Sequence, residues 1–380
     1  MSTALRKISS RIAIGFTIAV CLSFVISVLQ VYLDPRSWWV LTFFGLIFPV
    51  LSIVVFILFV SWVLAKSRWA LLPLASLILA IPNIRNSWGF HFSSNFDKEV
   101  KEKNSIRVLS WNVSWFDGQK KTDASKKSSG KQIFDYIKEQ SPEILCLQEF
   151  LNNDYREEVN STLEKLEAMG FRYHYYVPDY IIRKGNTDAG SAIFSKLPIV
   201  NNGNIQYNGS LEKRSAEHLL FADIKIPSGD TIRVFTTHLQ SFLLKANDYR
   251  DLEIIRNADD SLLSASKSIL RKLKAGYLSR ANQAEIVRAT MKESPYPELI
   301  TGDFNDVPNS YAYFTIKGSR TDAFLARSWG LGRTFNNVSP TLRIDYIITN
   351  PGFQVLYYRC EKLPYSDHFP VLADLRWIQP

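Results

Sequence analysis

Glu298-Leu299-Ile300-Thr301-Gly302-Asp303-Phe304-Asn305 reads as a short buried strand that stops at an acid. Gly302 lets another backbone or a ligand come close. Asp303 and Asn305 are two residues apart, so in extended chain they share a face. Alone, Asp-x-Asn is equally an ordinary turn. The same design recurs, however. Ile106-Arg107-Val108-Leu109-Ser110-Trp111 ends at Asn112, and Ile144-Leu145-Cys146-Leu147-Gln148 ends at Glu149. Ile232-Arg233-Val234-Phe235-Thr236-Thr237 ends at His238, and the run 344–348 carries Asp345 near its start. One polar strand end means little. Several of them, on one rim of a packed pair of sheets, can converge on a single site.

Helical patterns separate these strands. Residues 131–140 place Ile133, Phe134 and Ile137 on one face, and Pro142 closes the segment. Residues 154–169 form another, stopped by Gly170. Residues 243–292 form a long charged stretch with Leu270, Leu273 and Leu278 at helical spacing. The Lys- and Ser-rich residues 120–131 read as a surface loop. Strands mixed with helices, without clean β-α-β repeats, predict sheets packed face to face with helices outside.

The N-terminal part is different. Hydrophobic residues make up 46% of the 380, which excludes a disordered chain, and they concentrate before residue 85. Residues 12–33 and 38–65 are apolar runs of membrane-crossing length, the second containing Pro49. Lys66-Ser67-Arg68 interrupts, and 69–82 forms a shorter third run. A cleaved signal peptide fits poorly, because the first run is too long and more apolar segments follow. Polar groups inside these runs are too few for a transporter, Gln30 being the main one. The expected organisation is a membrane region at 1–85 with three transmembrane helices, a polar linker at 86–104 and a catalytic domain at 105–380.

Net charge is +9, but residues 1–85 hold seven Lys or Arg and a single acid, Asp34. That leaves +3 for the remainder, too little for a nucleic-acid footprint. Arg6, Lys7, Arg11, Lys66 and Arg68 act instead as topology signals for the cytoplasmic side. With three spans the catalytic domain lies outside the cytoplasm, periplasmic in a Gram-negative cell, in a multi-pass protein of the inner membrane. Cys21, Cys146 and Cys360 show no metal or disulfide spacing.

Phosphoester hydrolysis needs charge on the phosphoryl oxygens offset, water activated and the leaving oxygen stabilised. A hard cation such as Mg2+ keeps several waters and asks for one or two carboxylates. Glu149 is the first candidate, with the Asn112 carbonyl beside it. His368 lies between Asp367 and Phe369-Pro370, and the proline fixes that loop. An imidazole oriented by a carboxylate suits acid–base work, and Asp345 is the candidate partner. His238 is a candidate donor to the phosphate. Taken one at a time, Glu149 also fits a strand-edge carboxylate and His238 a satisfied core histidine.

Together the pieces resemble the endonuclease/exonuclease/phosphatase superfamily with its DNase I-like fold. They are Leu109-Ser110-Trp111-Asn112, Leu147-Gln148-Glu149, Gly190-Ser191-Ala192-Ile193-Phe194-Ser195, Thr237-His238-Leu239, Gly302-Asp303-Phe304-Asn305, Arg343-Ile344-Asp345-Tyr346-Ile347 and Ser366-Asp367-His368, in that order over residues 105–376. The resemblance implies a four-layered α/β sandwich after the N-terminal transmembrane segment, and a divalent metal, Mg2+ or Mn2+. It makes Glu149 the principal metal ligand with Asn112 nearby, and Asp367 an aid to metal or phosphate binding. Asp303 and Asn305 would orient the nucleophile, His368 would pair with Asp345, and His238 would be a transition-state donor. The long segment 240–281 departs from the common pattern, and Arg280 and Gln283 are candidates there to face the phosphate, with a solvated helix face as the plain alternative. The expected activity is that of a phosphodiesterase, nuclease or phosphatase acting beside the lipid bilayer on nucleic acid or a phospholipid-type headgroup, with no obligate protein partner. A non-catalytic membrane-tethered binding module on the same fold is the alternative, although such modules usually lose a metal or acid–base residue and none is missing here.

Overall fold

A computed structural model describes residues 3–91, 101–116, 123–152, 162–182, 187–207, 217–242, 262–336, 339 and 341–378. The chain divides into two compact units. The first comprises Met1–Trp88, Ser241–Asn282 and Val307–Thr315, and the second Gly89–Gln240, Gln283–Asp306 and Ile316–Pro380.

In the first unit, α1 (Thr3–Leu29) runs into a short 3-10 turn. A one-turn helix α2 (Pro35–Trp38) is capped by Asp34, which accepts from the Arg36 N–H, and leads towards α3 (Phe43–Leu64). α4 (Leu71–Leu79) and α5 (Ile81–Ser87) follow. The segments Ser9–Tyr32 and Pro35–Leu64 are long and apolar enough to cross a membrane, and 24 residues of helix span about 36 Å. The third expected span is a bent pair, Arg68–Leu79 with Ile81–Ser87, turned by 58°. α1 and α3 pack antiparallel. Phe24 stacks on Phe48 at 5.5 Å, and Trp62 Nε1 donates to Thr17 Oγ1 at 2.9 Å.

Where α1 meets α3 the packing turns polar. Asn309 sits among the helix ends. It donates to the Ser27 carbonyl at 2.8 Å, and its side-chain oxygen accepts from Asn83 at 2.7 Å. Gln30 donates to the Asn309 carbonyl at 2.7 Å, and Asn83 also donates to the Val28 carbonyl at 3.1 Å. Gly45 has no room for a Cβ, which would run into the Asn309 carbonyl. Segment 241–282 touches the same end: Tyr277 packs edge-on against Phe43, Lys274 lies over Trp39, and Arg36 donates to Asn282 at 2.8 Å.

The second unit is built on two six-stranded sheets. β1 (Gly89–Phe90) forms only a small ladder with β11 (Trp329–Gly330). β2 (Ile106–Asn112), β3 (Ile144–Leu151), β4 (Tyr173–Ile182) and β5 (Thr187–Ser195) join β13 (Phe353–Cys360) and β14 (Val371–Trp377) in the order β13-β14-β2-β3-β5-β4. β6 (Ile199–Gln206), β7 (His218–Lys225), β8 (Thr231–His238), β9 (Glu298–Asp303), β10 (Thr321–Asp322) and β12 (Asp345–Thr349) form the other, in the order β10-β12-β9-β8-β7-β6. Among the described residues each sheet contains a single parallel pair, β2 with β3 and β8 with β9. A parallel pair needs a crossover. α6 (Asp123–Gln140) supplies the first, and the chain through α8 (Leu262–Lys292) supplies the second.

Alternation along β2 builds two layers of core. Ile106 and Val108 join Ile144, Cys146 and Ile193 against Ala222, Val234, Leu299 and Ile347 of the facing sheet. Leu109 and Trp111 point the other way, onto Ile133 and Ile137 of α6 and Leu166 of α7 (Thr162–Ala168). This is the α/β sandwich of DNase I-like type expected from the sequence. The predicted loop at 120–131 is corrected: α6 begins at Asp123, so the Lys- and Ser-rich stretch is largely helical. Residues 154–161 and 243–261, parts of two predicted helices, lie outside the described residues.

Candidate active site

The carboxyl ends of the two parallel pairs meet. β2 and β3 end near Asn112 and Glu149, and β8 and β9 end at His238 and Asp303, which lie side by side in the ladder. Asp345 pairs with Asp303 from the antiparallel neighbour β12. One sheet therefore presents Asp345, Asp303 and His238 in a row, and the facing sheet contributes Asn112 and Glu149. Asn112 Nδ2 closes the gap, donating to Asp303 Oδ2 at 3.1 Å and to Glu149 Oε1 at 3.3 Å. Its side-chain Oδ1 accepts from the Ser114 N–H at 3.1 Å, so the amide is oriented to clamp two carboxylates.

Local backbone explains why the side chains reach. Glu149 occupies a left-handed conformation, φ 50°, inside a bulge of β3 against β5. A bulge re-aims the residue it carries. Asn305 is also left-handed, φ 50°, just after β9. Its N–H bonds Asp303 Oδ1 at 2.8 Å and its amide donates to the Leu239 carbonyl at 2.8 Å. Gly302, at φ 132°, passes so close to the Thr237 carbonyl that a Cβ would collide.

The loop carrying His368 is fastened to β2. Ser366 Oγ donates to the Asn112 carbonyl at 2.8 Å, and Trp111 Nε1 donates to the His368 carbonyl at 2.9 Å. His368 Nδ1 lies 3.1 Å from both Asp345 oxygens, and its Nε2 lies 3.6 Å from Asp303 Oδ2. His238 Nε2 stands 3.6 Å from the same Asp303 oxygen and 4.0 Å from Glu149 Oε1. Thr334 supports Asp345, its Oγ1 accepting the N–H groups of Ile344 and Asp345 at 2.9 and 3.1 Å. No spacing in the sequence marks Thr334, because its part depends on a loop brought in by the fold.

Burial and crowding set the charges. Burial, reinforced by the Asp367 carboxylate, pushes Glu149 up to about 7. Asp303 is also raised, by burial first. Burial lowers His238, favouring its neutral form, and its Nδ1 has no partner among the described residues. Burial alone would lower His368 too, but Asp345 and Asp303 override it and hold the imidazole well above its usual range. Four carboxylates thus share one rim with two imidazoles. An oxygen-rich set of this kind fits a hard divalent cation, which would relieve the pressure on Glu149. Donor atoms of Asp303, Asp345 and His368 also lie within 4.8 Å of one another.

Gln283 and Arg280 are the remaining sequence candidates. Gln283 accepts from the Gln240 N–H at 2.8 Å and donates to Glu217 at 3.2 Å. Arg280 belongs to the first unit, where its guanidinium lies over Phe242 and Tyr277 at 4.2 and 4.8 Å.

The model of the Endonuclease/Exonuclease/phosphatase family matches residues 109–368, a span that holds every residue of this rim. The chain belongs to that family. Its members are phosphoester hydrolases and are generally dependent on a divalent metal. A second model, a domain of unknown function (DUF8431), matches residues 10–87 of this family member. A DNA-(apurinic or apyrimidinic site) endonuclease of Dictyostelium discoideum is 29% identical over 98 residues, 25% of this chain. That match spans only 22% of the relative's length. Among solved structures, an endonuclease/exonuclease/phosphatase from Beutenbergia cavernae aligns with TM-score 0.51 and 18% identity, covering 73% of this chain and 72% of that one. The human Nocturnin catalytic domain with bound sulfate anion aligns equally, at TM-score 0.51 and 18% identity, over 73% of this chain and 96% of its own. At such identities the likeness concerns the fold.

Proposed function

We propose that this chain is a membrane-anchored, divalent-metal-dependent phosphoester hydrolase whose active site is the rim of strand ends at Asn112, Glu149, His238, Asp303, Asp345 and His368. The observation that carries the reading is the Asn112 clamp between Glu149 and Asp303, because it joins the ends of both parallel pairs at one point.

Glu149, with Asn112 and Asp367 beside it, would hold the cation, Mg2+ or Mn2+. Bound there, the ion would supply Lewis-acid polarisation of a phosphoryl oxygen. The remaining work falls to the chain. Asp303, steadied by Asn305 and Asn112, accepts a hydrogen bond from the attacking water and aligns it. Asp345 keeps His368 oriented and favours its cationic form, so the imidazolium offsets charge on the phosphoryl oxygens. His238 faces the same Asp303 oxygen from the other side as a second donor. Substrates of this chemistry are phosphoesters of nucleic acid or of a phospholipid-type headgroup, and the mild charge of residues 86–380 favours neither.

The division into a membrane region at 1–85, a linker at 86–104 and a catalytic domain at 105–380 belongs to this reading. Three passes through an inner membrane account for the helices. Arg68 starts the bent pair just after the end of α3, whereas Asn83 near its finish bonds the Val28 carbonyl by the end of α1. The pair therefore runs the length of the α1–α3 hairpin. Basic residues Arg6, Lys7, Arg11, Lys66 and Arg68 gather at one end, the cytoplasmic one. With three passes, that polarity puts the catalytic domain outside the cytoplasm, in the periplasm.

The test is hydrolysis by the full chain in detergent with Mg2+ or Mn2+. Substrates should span DNA, RNA, phospholipids and bis-aryl phosphodiesters. Metal-dependent turnover that Glu149→Ala or His368→Ala removes is the expected result. Inactivity on every class would overturn the proposal.

A further inference from the structure

The row of polar strand ends does not stop at His238. Leu219 of β7 pairs with Thr237 of β8, so one step towards the rim sets His218 opposite His238. Residues directly opposite on neighbouring strands share a face, with Cβ atoms roughly 5 Å apart. The sheet thus presents Asp345, Asp303, His238 and His218 from four consecutive strands.

The facing sheet has a matching extension. Asp179 is the extra residue of a bulge in β4, between the pairs Pro178–Gly190 and Tyr180–Ala189. Glu149 lies in the bulge of β3 that resumes at Phe150–Gly190. The two bulges flank the same glycine of β5 from either side, and a Cβ at Gly190 would collide with the β4 backbone. Two bulged acids on either side of one strand are hard to explain as isolated packing accidents, since each bulge disrupts a ladder.

Asp179 reaches across to the other sheet. Its Oδ1 lies 2.8 Å from His218 Nδ1, and its Oδ2 accepts from Ser191 at 3.2 Å. All three residues are buried, Asp179 to 1% exposure. Both carboxylate oxygens are thereby engaged, which fixes the ring and leaves Nε2 as its free polar atom, without a partner among the described residues. Asn112–Asp303 and Asp179–His218 are two crossings between the same sheets, with Glu149 and His238 between them.

Resting on the hydrolase reading above, we propose that His218, held by Asp179, is a substrate-binding residue that takes a hydroxyl of the alcohol esterified to the phosphorus. The charge of the pair selects the ligand. Asp179 sets an acidic group against the His218 ring, so the pair is a poor seat for a second phosphate. A single directed Nε2 on a rigid ring suits a neutral hydroxyl, as on a sugar or glycerol. The substrate class is then a phosphoester of a polyhydroxylated alcohol.

The experiment compares three substrates with one leaving group: methyl p-nitrophenyl phosphate, glyceryl p-nitrophenyl phosphate and the p-nitrophenyl ester of thymidine 5′-phosphate. The full chain with Mn2+ should prefer at least one hydroxylated ester over the methyl ester in kcat/KM by about tenfold, the size of one directed hydrogen bond. His218→Gln and Asp179→Asn should collapse that ratio towards one, whatever the absolute rates. A purely structural role would lower all three substrates together and leave the ratio intact, which would overturn the inference. Thermal unfolding identifies a variant that fails to fold, and the ratio is then read from the other. Wild-type inactivity on all three would instead remove the hydrolase reading and this inference with it.

Discussion

The two units bury polar groups in opposite ways. At the α1–α3 end, the buried groups are neutral amides. Gln30, Asn83 and Asn309 each donate to a backbone carbonyl, and none carries charge. At the rim of the sheets, the buried groups are ionisable. Four carboxylates and two imidazoles are held close by Asn112, Thr334 and Ser366, with Glu149 pushed up to about 7. Neutral amides bonded to backbone stabilise the packing within the first unit, each bond contributing roughly 1 kcal/mol net. Crowded charges destabilise the fold, and such a cluster is retained where it does chemistry. The contrast separates residues that hold the molecule together from residues that act.

Substitution should therefore have opposite signatures in the two places. His368→Ala is expected to lower kcat by about 10²–10³-fold, the usual span for a lost donor to developing charge. Glu149→Gln should abolish metal-dependent turnover while the metal-free melting temperature stays level or rises, because a crowded charge has gone. A melting temperature several degrees lower with activity intact would reverse the distinction. Asn309→Ala should do the reverse of Glu149→Gln. It removes the side-chain acceptor of Asn83 and the donor to the Ser27 carbonyl, and a loss of about 1–3 kcal/mol in stability is expected from detergent unfolding curves.

A smaller effect comes from pH. Glu149 and Asp303 are raised by burial, so the folded chain binds protons there that the unfolded chain has released. His368 is raised by Asp345 and Asp303, and its contribution is complete below the unfolded value and fades as pH rises. All three have the same sign and together outweigh the lowered His238, whose sign is opposite. The metal-free protein should lose thermal stability between about pH 5 and pH 8, and Mg2+ should flatten the slope. A metal-free melting temperature that climbs over that interval would contradict the charge assignment. Smallest of all, Trp62→Phe removes one bond between α1 and α3 and should cost about 0.6 kcal/mol, typical within membrane helices.

Much of the site was legible because strand ends announce themselves. The apolar runs that stop at Asn112, Glu149, His238 and Asp303 are local signals, and the strands end at or beside those residues. The start of α6 was not legible, since Lys and Ser at 120–131 resemble a solvated loop until Ile133 and Ile137 find the sheet. Gln30 read as a stray polar residue in an apolar run, because its partner Asn309 lies 279 positions away. Asp179 and His218 left no trace in spacing either, since each depends on a register that only the folded sheets define. Local pattern reveals strand ends, whereas cross-sheet pairs need the tertiary structure.

The most direct measurement is a divalent-metal titration of phosphodiester hydrolysis by the full chain and by Glu149→Gln, with bis-p-nitrophenyl phosphate as substrate. A saturable dependence on Mg2+ or Mn2+ in the wild type, lost in the variant although it folds with an unchanged or higher melting temperature, is the predicted result. Equal turnover by both proteins, or turnover that survives chelation, would contradict a metal-dependent site at the strand-end rim.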